Sequence, residues 1–193
     1  MKKFELTNEF ITNMFGTKLF RIRALVEFGD VEAGELGGYV EKESNLGHDD
    51  NAWVYDNAWV YGNARVYGDA LVYDNARVYG NAWVYGDAQV SGDALVYGNA
   101  RVYGNALVCG DARVCGDARV CGNGDYAYAH GFGSVNRTTT FFRLKDGGVG
   151  VRCGCFYGTL AQFRDKIRET HGETKKAQEY LMLADLMKLR FEK

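Results

Sequence analysis

The sequence predicts a mainly β fold: a parallel β-solenoid with an N-terminal β cap and a small C-terminal α+β domain, a β-hairpin plus two helices. Three observations point to it. Residues 51–122 run as twelve hexapeptides without insertion or deletion, each with Asn or Asp first, Ala second, Val fourth and Gly or Asp last. The 193 residues include 25 glycines and no proline, so corners rest on residues that tolerate a left-handed backbone. After Gly122 the repeat stops, and strand-like alternation gives way to helical spacing. The expected divisions are a cap over 1–27, the solenoid over 28–123 and the C-terminal domain over 124–193.

In the cap, KLFRIRAL (18–25) alternates as a strand does, and FELT (4–7) is placed to pair with it. A cap is required because a solenoid end otherwise exposes open strand edges and an unfilled core. FGDVEAGELGGYVEKESNL (28–46) reads as an irregular opening coil, with Val40 and Leu46 six apart and a two-residue slip before Val54.

A meander of short hairpins fits the hexapeptides poorly. A type II′ turn wants Gly where Asp56 and Asp74 stand, and a flat ribbon would leave one face of its valines in water and two edges open. In a solenoid each Ala-x-Val-Tyr stretch is a strand whose Val points inward while its neighbours point out. Each Gly-Asn, Gly-Asp or Asp-Asn pair is then a corner. Stacked coils bury the valines in one column, each worth roughly 1.5–3 kcal/mol.

The unit V-Y-G-N-A-R resembles the hexapeptide repeat of left-handed parallel β-helix proteins. That resemblance covers residues 51–122 and implies three hexapeptides per triangular coil, hence four complete coils of 18 residues. Residue i then lies about 4.8 Å from i+18. Three outer ladders follow: Trp53, Leu71, Gln89, Leu107 beside Tyr55, Tyr73, Ser91, Cys109; Trp59, Arg77, Leu95, Arg113 beside Tyr61, Tyr79, Tyr97, Cys115; and Arg65, Trp83, Arg101, Arg119 beside Tyr67, Tyr85, Tyr103, Cys121. Cys109, Cys115 and Cys121 fall on successive faces, too far apart for a disulfide or a shared metal. They replace Tyr where something packs, the following segment or a partner chain.

Aromatic surface on this scale is expected to be covered by another subunit, as a dimer or trimer; the resemblance implies trimers. On the third face Arg65, Tyr67, Trp83, Tyr85, Arg101 and Tyr103 are candidate binding residues, arginines between aromatics that suit a nucleotide-like ligand. Nucleic acid is the less favoured partner, since the net charge of −2 gives no whole-molecule attraction to it or to a membrane.

Beyond Gly122, TTTFFRL (138–144) and VGVRCGCF (149–156) read as two strands around Lys145-Asp146-Gly147-Gly148. Thr159 with Gln162 makes a capping box for TLAQFRDKIRETHG, Gly172 ends that helix, and Leu160, Phe163 and Ile167 form its stripe. A second helix over roughly 174–191 buries Ala177, Tyr180, Leu181, Ala184, Met187 and Phe191. It also carries Leu183, Leu186 and Leu189, more apolar surface than one hairpin covers. Arg137 and Phe156 are the candidate binding residues of this domain.

The opening FRIRALVEFGDVEAGELGGYVEKESNL, the hexapeptides and HGFGSVNRTTTFFRLKDGGVGVRCGCFYGTLAQFRDKIRETHG together resemble uncharacterised proteins of bacteriophages and prophages. Relatives of that type are often labelled acyltransferases or polymer-forming proteins on the repeat alone. The resemblance implies origin and architecture rather than mechanism.

Acyl transfer needs a general base and a loop excursion that shapes a pocket. His48, His130 and His171 all lie outside the hexapeptides, and no loop interrupts them. A non-enzyme is therefore expected, with His130 as the fallback base and Cys with His171 as a remote nucleophile pair. No cofactor and no metal are expected. Cys153-Gly154-Cys155 puts two thiols on one strand face, better read as structural than as a soft-metal site, and the columns Asp69–Asp87 and Asp93–Asp111 alternate with Asn elsewhere. The first ten residues contain Glu5 and Glu9 and no apolar core, so cytoplasmic thiols are expected, in the host cytoplasm for a phage protein. The expected function is a non-catalytic, oligomeric scaffold that engages a host macromolecule or nucleotide-like ligand and acts against a host defence system. An acyl-CoA-dependent acyltransferase and a virion or assembly component are the alternatives.

Overall fold

Each Ala-x-Val-Tyr stretch lies extended for two residues before the chain turns a corner, and the next coil stacks on it 18 residues later. The computed structural model describes residues 1–133 and 136–192; Ser134, Val135 and Lys193 of the expected C-terminal domain lie outside the described residues. Strands β4 (Trp53–Val54) through β15 (Arg119–Val120), one per hexapeptide, are shared among three parallel sheets. Val54 pairs with Val72, Val72 with Val90 and Val90 with Val108. The other two faces keep the same register, Val60–Val78–Val96–Val114 and Val66–Val84–Val102–Val120. The predicted period holds throughout, in a solenoid of about five turns.

The interior is filled by alanine as well as valine. Every second-position Ala from Ala52 to Ala118 is fully buried beside its Val, because strand alternation turns both residues of the Ala-x-Val triplet to one side. The coils therefore approach closely, and the corners set how closely. Gly68 has φ +73°, and a Cβ there would lie 2.8 Å from the backbone nitrogen of Gly86 in the next coil. Asp56 and Asp74 take the same left-handed conformation, with φ of 51° and 59°. Their carboxylates compensate: Asp74 Oδ2 accepts from the Gly92 N–H at 2.9 Å. At the start of the solenoid Glu41 and Asp50 accept likewise from the Gly62 and Gly68 amides, each at 2.6 Å. Along one corner the side-chain amides chain together, Asn63 to Asn81 to Asn99 to Asp117.

The N-terminal end is closed by a hairpin. Strands β1 (Phe4–Thr12) and β2 (Lys18–Ala24) pair antiparallel, and β2 pairs with β3 (Leu36–Val40). Strand β3 then runs parallel to the first coil, with Val40 on Val60 and Leu46 on Val66. Both offsets are one coil plus the two-residue slip read from the sequence. Trp53 departs from expectation. Predicted to point outward, it is fully buried, because Phe28 and Phe4 pack edge-on against it at 5.3 and 6.2 Å. Lys3 passes over the Phe28 ring at 4.5 Å and donates to the Asp50 and Ala52 carbonyls.

These burials give the stability a definite pH profile. Burial lowers the Lys3 ammonium to about 8, so the unfolded chain binds more protons between pH 8 and 10.5, and Lys3 adds stability as pH rises through that window. The ladder tyrosines Tyr61, Tyr67, Tyr79, Tyr97 and Tyr103 are pushed the other way by burial, above their usual value of 10. They keep their protons in the fold after the unfolded chain has lost them, so stability falls above pH 10. Urea midpoints from pH 8 to 11.5 are expected to drop steeply above pH 10, with a step in phenolate absorbance accompanying the loss of the fold. A midpoint that holds level from pH 10 to 11.5, with no absorbance step on unfolding, would refute this account.

The C-terminal domain is larger than a hairpin. Four antiparallel strands, β16 (Tyr126–Phe132), β17 (Arg137–Arg143), β18 (Val149–Cys153) and β19 (Phe156–Thr159), form one sheet in chain order. Strands β17 and β18 are the two predicted ones; the outer two were not read from the sequence. One face of the sheet closes the solenoid: Phe142 is fully buried and Tyr126 nearly so in the solenoid core, with Leu144 packed against it. The Arg113 amide donates to Thr140 Oγ1 and the Lys145 amide to the Asp117 carbonyl.

The other face carries helices α1 (Leu160–His171) and α2 (Lys175–Phe191). The Thr159–Gln162 capping box and the Gly172 terminus form as expected. The wider sheet buries Leu183, which lies off the predicted stripe, while Leu181 is only half-buried and Leu186 and Leu189 stay exposed. Among the described residues no helix is long and apolar enough to cross a membrane.

Candidate functional site

The predicted site residues fall in two separate places. On the third solenoid face Tyr67, Tyr85 and Tyr103 stack at 5.0 and 5.1 Å, nearly parallel. Trp83 lies between Arg65 and Arg101, whose guanidinium carbons stand 5.9 and 4.7 Å from its ring. The aromatic faces are thus turned to one another and to the arginines. What this surface offers outward is a column of ring edges, hydroxyls and guanidinium groups, rather than open faces on which a base could stack.

The cysteine trio follows the ends of the ladders. Cys115, at the foot of the Tyr61–Tyr79–Tyr97 stack, is buried where the C-terminal sheet docks, and burial raises its thiol above the usual value. Cys109 lies 3.7 Å from the Tyr126 hydroxyl. The following segment is therefore what packs on these two faces. Cys121 is exposed, its backbone amide held by Asp125. All five cysteines are free.

Arg137 and Phe156 meet in a cleft of about 320 Å³ between α1 and the β18–β19 corner. Phe156, Phe163 and Tyr180 supply its aromatic wall, and the basic side chains Arg137, Lys166 and His171 its rim. The Phe156 and Phe163 rings stand 5.4 Å apart, and the His171 ring stacks on Tyr180 at 6.0 Å. The Tyr180 hydroxyl donates to the Phe132 carbonyl at 3.2 Å, and burial pushes that phenol up to about 12.

Cys153 and Cys155 open into the same cleft. They do not share a strand face, as the sequence suggested. Cys153 pairs with Phe156 across the hairpin, so Gly154-Cys155 is its two-residue corner, which needs a left-handed residue. Gly154 supplies it with φ +56°, and a Cβ there would overlap the Arg137 guanidinium. The glycine is thus the seat of Arg137. Cys153 accepts from Thr139 Oγ1 at 3.2 Å and lies 3.8 Å from the Tyr180 hydroxyl.

Lys166 and Tyr180 were missed as site residues. Phe163, Lys166, Ile167 and Thr170 share one side of α1 at spacings of three and four, a signal that marks a face but not what the face meets.

His130 lies outside that cleft, on an open shelf with Asp111, Arg113, Arg137 and Thr138. Its Nδ1 is 2.9 Å from Thr138 Oγ1 and 3.8 Å from Asp111 Oδ2. Among the described residues no three His, Cys, Asp or Glu side chains are grouped to hold a metal, and Asp69 instead accepts from the Asn51 side chain at 2.8 Å.

Coils, register and repeat together define a β-helix repeat protein. The chain is similar to the YdcK beta solenoid repeat family, which matches residues 58–73, 70–86, 88–104, 96–110 and 100–116. No curated protein matches it.

Proposed function

We propose that this protein is a non-catalytic binding scaffold, in which the solenoid is a rigid rod and the C-terminal domain recognises a flat, anionic, nucleotide-like ligand. The observation that carries this reading is the cleft: aromatic walls, three basic side chains at the rim, and a volume at the lower end of the range used for small ligands. The charge distribution agrees with it. Residues 124–193 hold 12 Lys and Arg against 8 Asp and Glu, while residues 1–123 hold 11 against 17. Self-association through the uncovered third face would multiply the clefts. In a phage-type setting the ligand would be a host molecule and its capture the action on host defence.

Calorimetry with adenosine monophosphate as the probe tests the cleft. Saturable binding is expected, weakened about tenfold by Arg137→Gln, the loss of one charge-assisted hydrogen bond, and similarly by Phe156→Ala. No binding, or binding indifferent to both substitutions, would overturn the reading. The His130–Asp111 contact favours one rival, acyl transfer from an acyl-CoA. That rival predicts acetyl-CoA hydrolysis or transfer abolished by His130→Ala.

A further inference from the structure

The cleft holds two free thiols separated by one residue. We propose that Cys153 and Cys155 form a dithiol that reduces small disulfides carrying carboxylates, closing to an intrachain Cys153–Cys155 disulfide. The substrate class rests on the anion-binding reading of the cleft; the thiol chemistry rests on the hairpin corner.

Three features support it. Residues two apart have Cα atoms at most about 7 Å from each other, and a tight corner shortens this into the range a disulfide needs. Gly154, at φ +56° and without a side chain, is that corner. The two thiols also differ in access. Cys155 is exposed at the mouth, whereas Cys153 is half-buried behind it under the Thr139 hydroxyl. That asymmetry assigns attack to Cys155 and resolution to Cys153. Finally, Arg137 lies over Gly154 and Lys166 lines the same cleft, so carboxylates on an incoming disulfide meet cations beside the attacking sulfur. Cys109 and Cys121 are exposed too, but each stands alone on its own face of the prism.

The step balances. The Cys155 thiolate attacks one sulfur of R–S–S–R, a Cys155–S–S–R bond forms, and the first RS⁻ leaves and takes up a proton from water. The Cys153 thiolate then attacks the Cys155 sulfur, and the second RS⁻ departs and is protonated. Two electrons and two protons pass from the dithiol to the substrate, giving two RSH.

The test uses the full reduced chain, oxidised glutathione as the anionic probe and cystamine as its cationic counterpart, with each cysteine followed by peptide mapping. In Cys153→Ala the mixed disulfide is expected on Cys155 at least tenfold faster than on Cys109 or Cys121 of the same molecule. In the unsubstituted chain it is expected to proceed to the Cys153–Cys155 disulfide. Lys166→Gln is expected to slow oxidised glutathione several-fold and leave cystamine no slower. The proposal falls if Cys109 and Cys121 react as fast as Cys155, or if no Cys153–Cys155 disulfide appears. Nucleotide binding with unreactive thiols would sink this proposal alone. A reactive pair indifferent to probe charge, with no nucleotide binding, would sink the anion-site reading and the substrate class with it.

Discussion

Phe142→Ala is expected to lower stability by about 3–5 kcal/mol, the cost of emptying a fully buried aromatic site. In a chain of this length that corresponds to a fall in melting temperature on the order of 10 °C. The position matters more than the residue type. Phe142 is the side chain through which the C-terminal sheet enters the end of the alanine–valine column, and the hydrogen bonds from the Arg113 amide to the Thr140 hydroxyl and from the Lys145 amide to the Asp117 carbonyl are made beside it. Its loss is expected to raise hydrogen exchange first in residues 106–120, the last coil, and only later in the N-terminal coils, as coupling in a solenoid runs between neighbours. Uniform loss of protection along the rod would show that the sheet is not an end cap.

Gly68→Val is expected to cost about 1–2 kcal/mol for a left-handed backbone and a further ~1–3 kcal/mol for overpacking. A Cβ at Gly68 would meet the Gly86 backbone at 2.8 Å, and main chain cannot swing aside as a flexible side chain can. Gly147→Ala separates the two contributions. That glycine has φ +86° and open space around it, so its replacement carries the backbone cost alone. Equal denaturant midpoints for the two variants would mean that coil spacing is not set at the corners.

The solenoid was legible because its cause is local and repeated. Val at every sixth position and Gly or Asp at every corner determine a rung without reference to distant residues, and even the slip before Val54 shows in the offset of Val40 from Val60. The Thr159–Gln162 cap was legible for the same reason. What escaped depends on remote partners. Trp53 is buried only because Phe4 and Phe28 come back across it. Strand β16 alternates alanine with aromatics too weakly to stand out, and β19 spans four residues. Arg137 and Phe156 were found, but Lys166 and Tyr180 reach the same cleft from helices whose placement the sequence pattern leaves open.

Each coil shows the next the same alanine and valine pair on all three sides, so the rod has no memory of which hexapeptide is which. Inserting or removing 18 residues within it would change length alone. A change of six would also swing one end around the axis by a third of a revolution. With twelve units, the edge hairpin and the strand that bonds Arg113 sit on the same side of the prism. Repeat number is thus an angular dial, by which duplication of a few codons could re-aim the C-terminal domain without altering a single contact inside it.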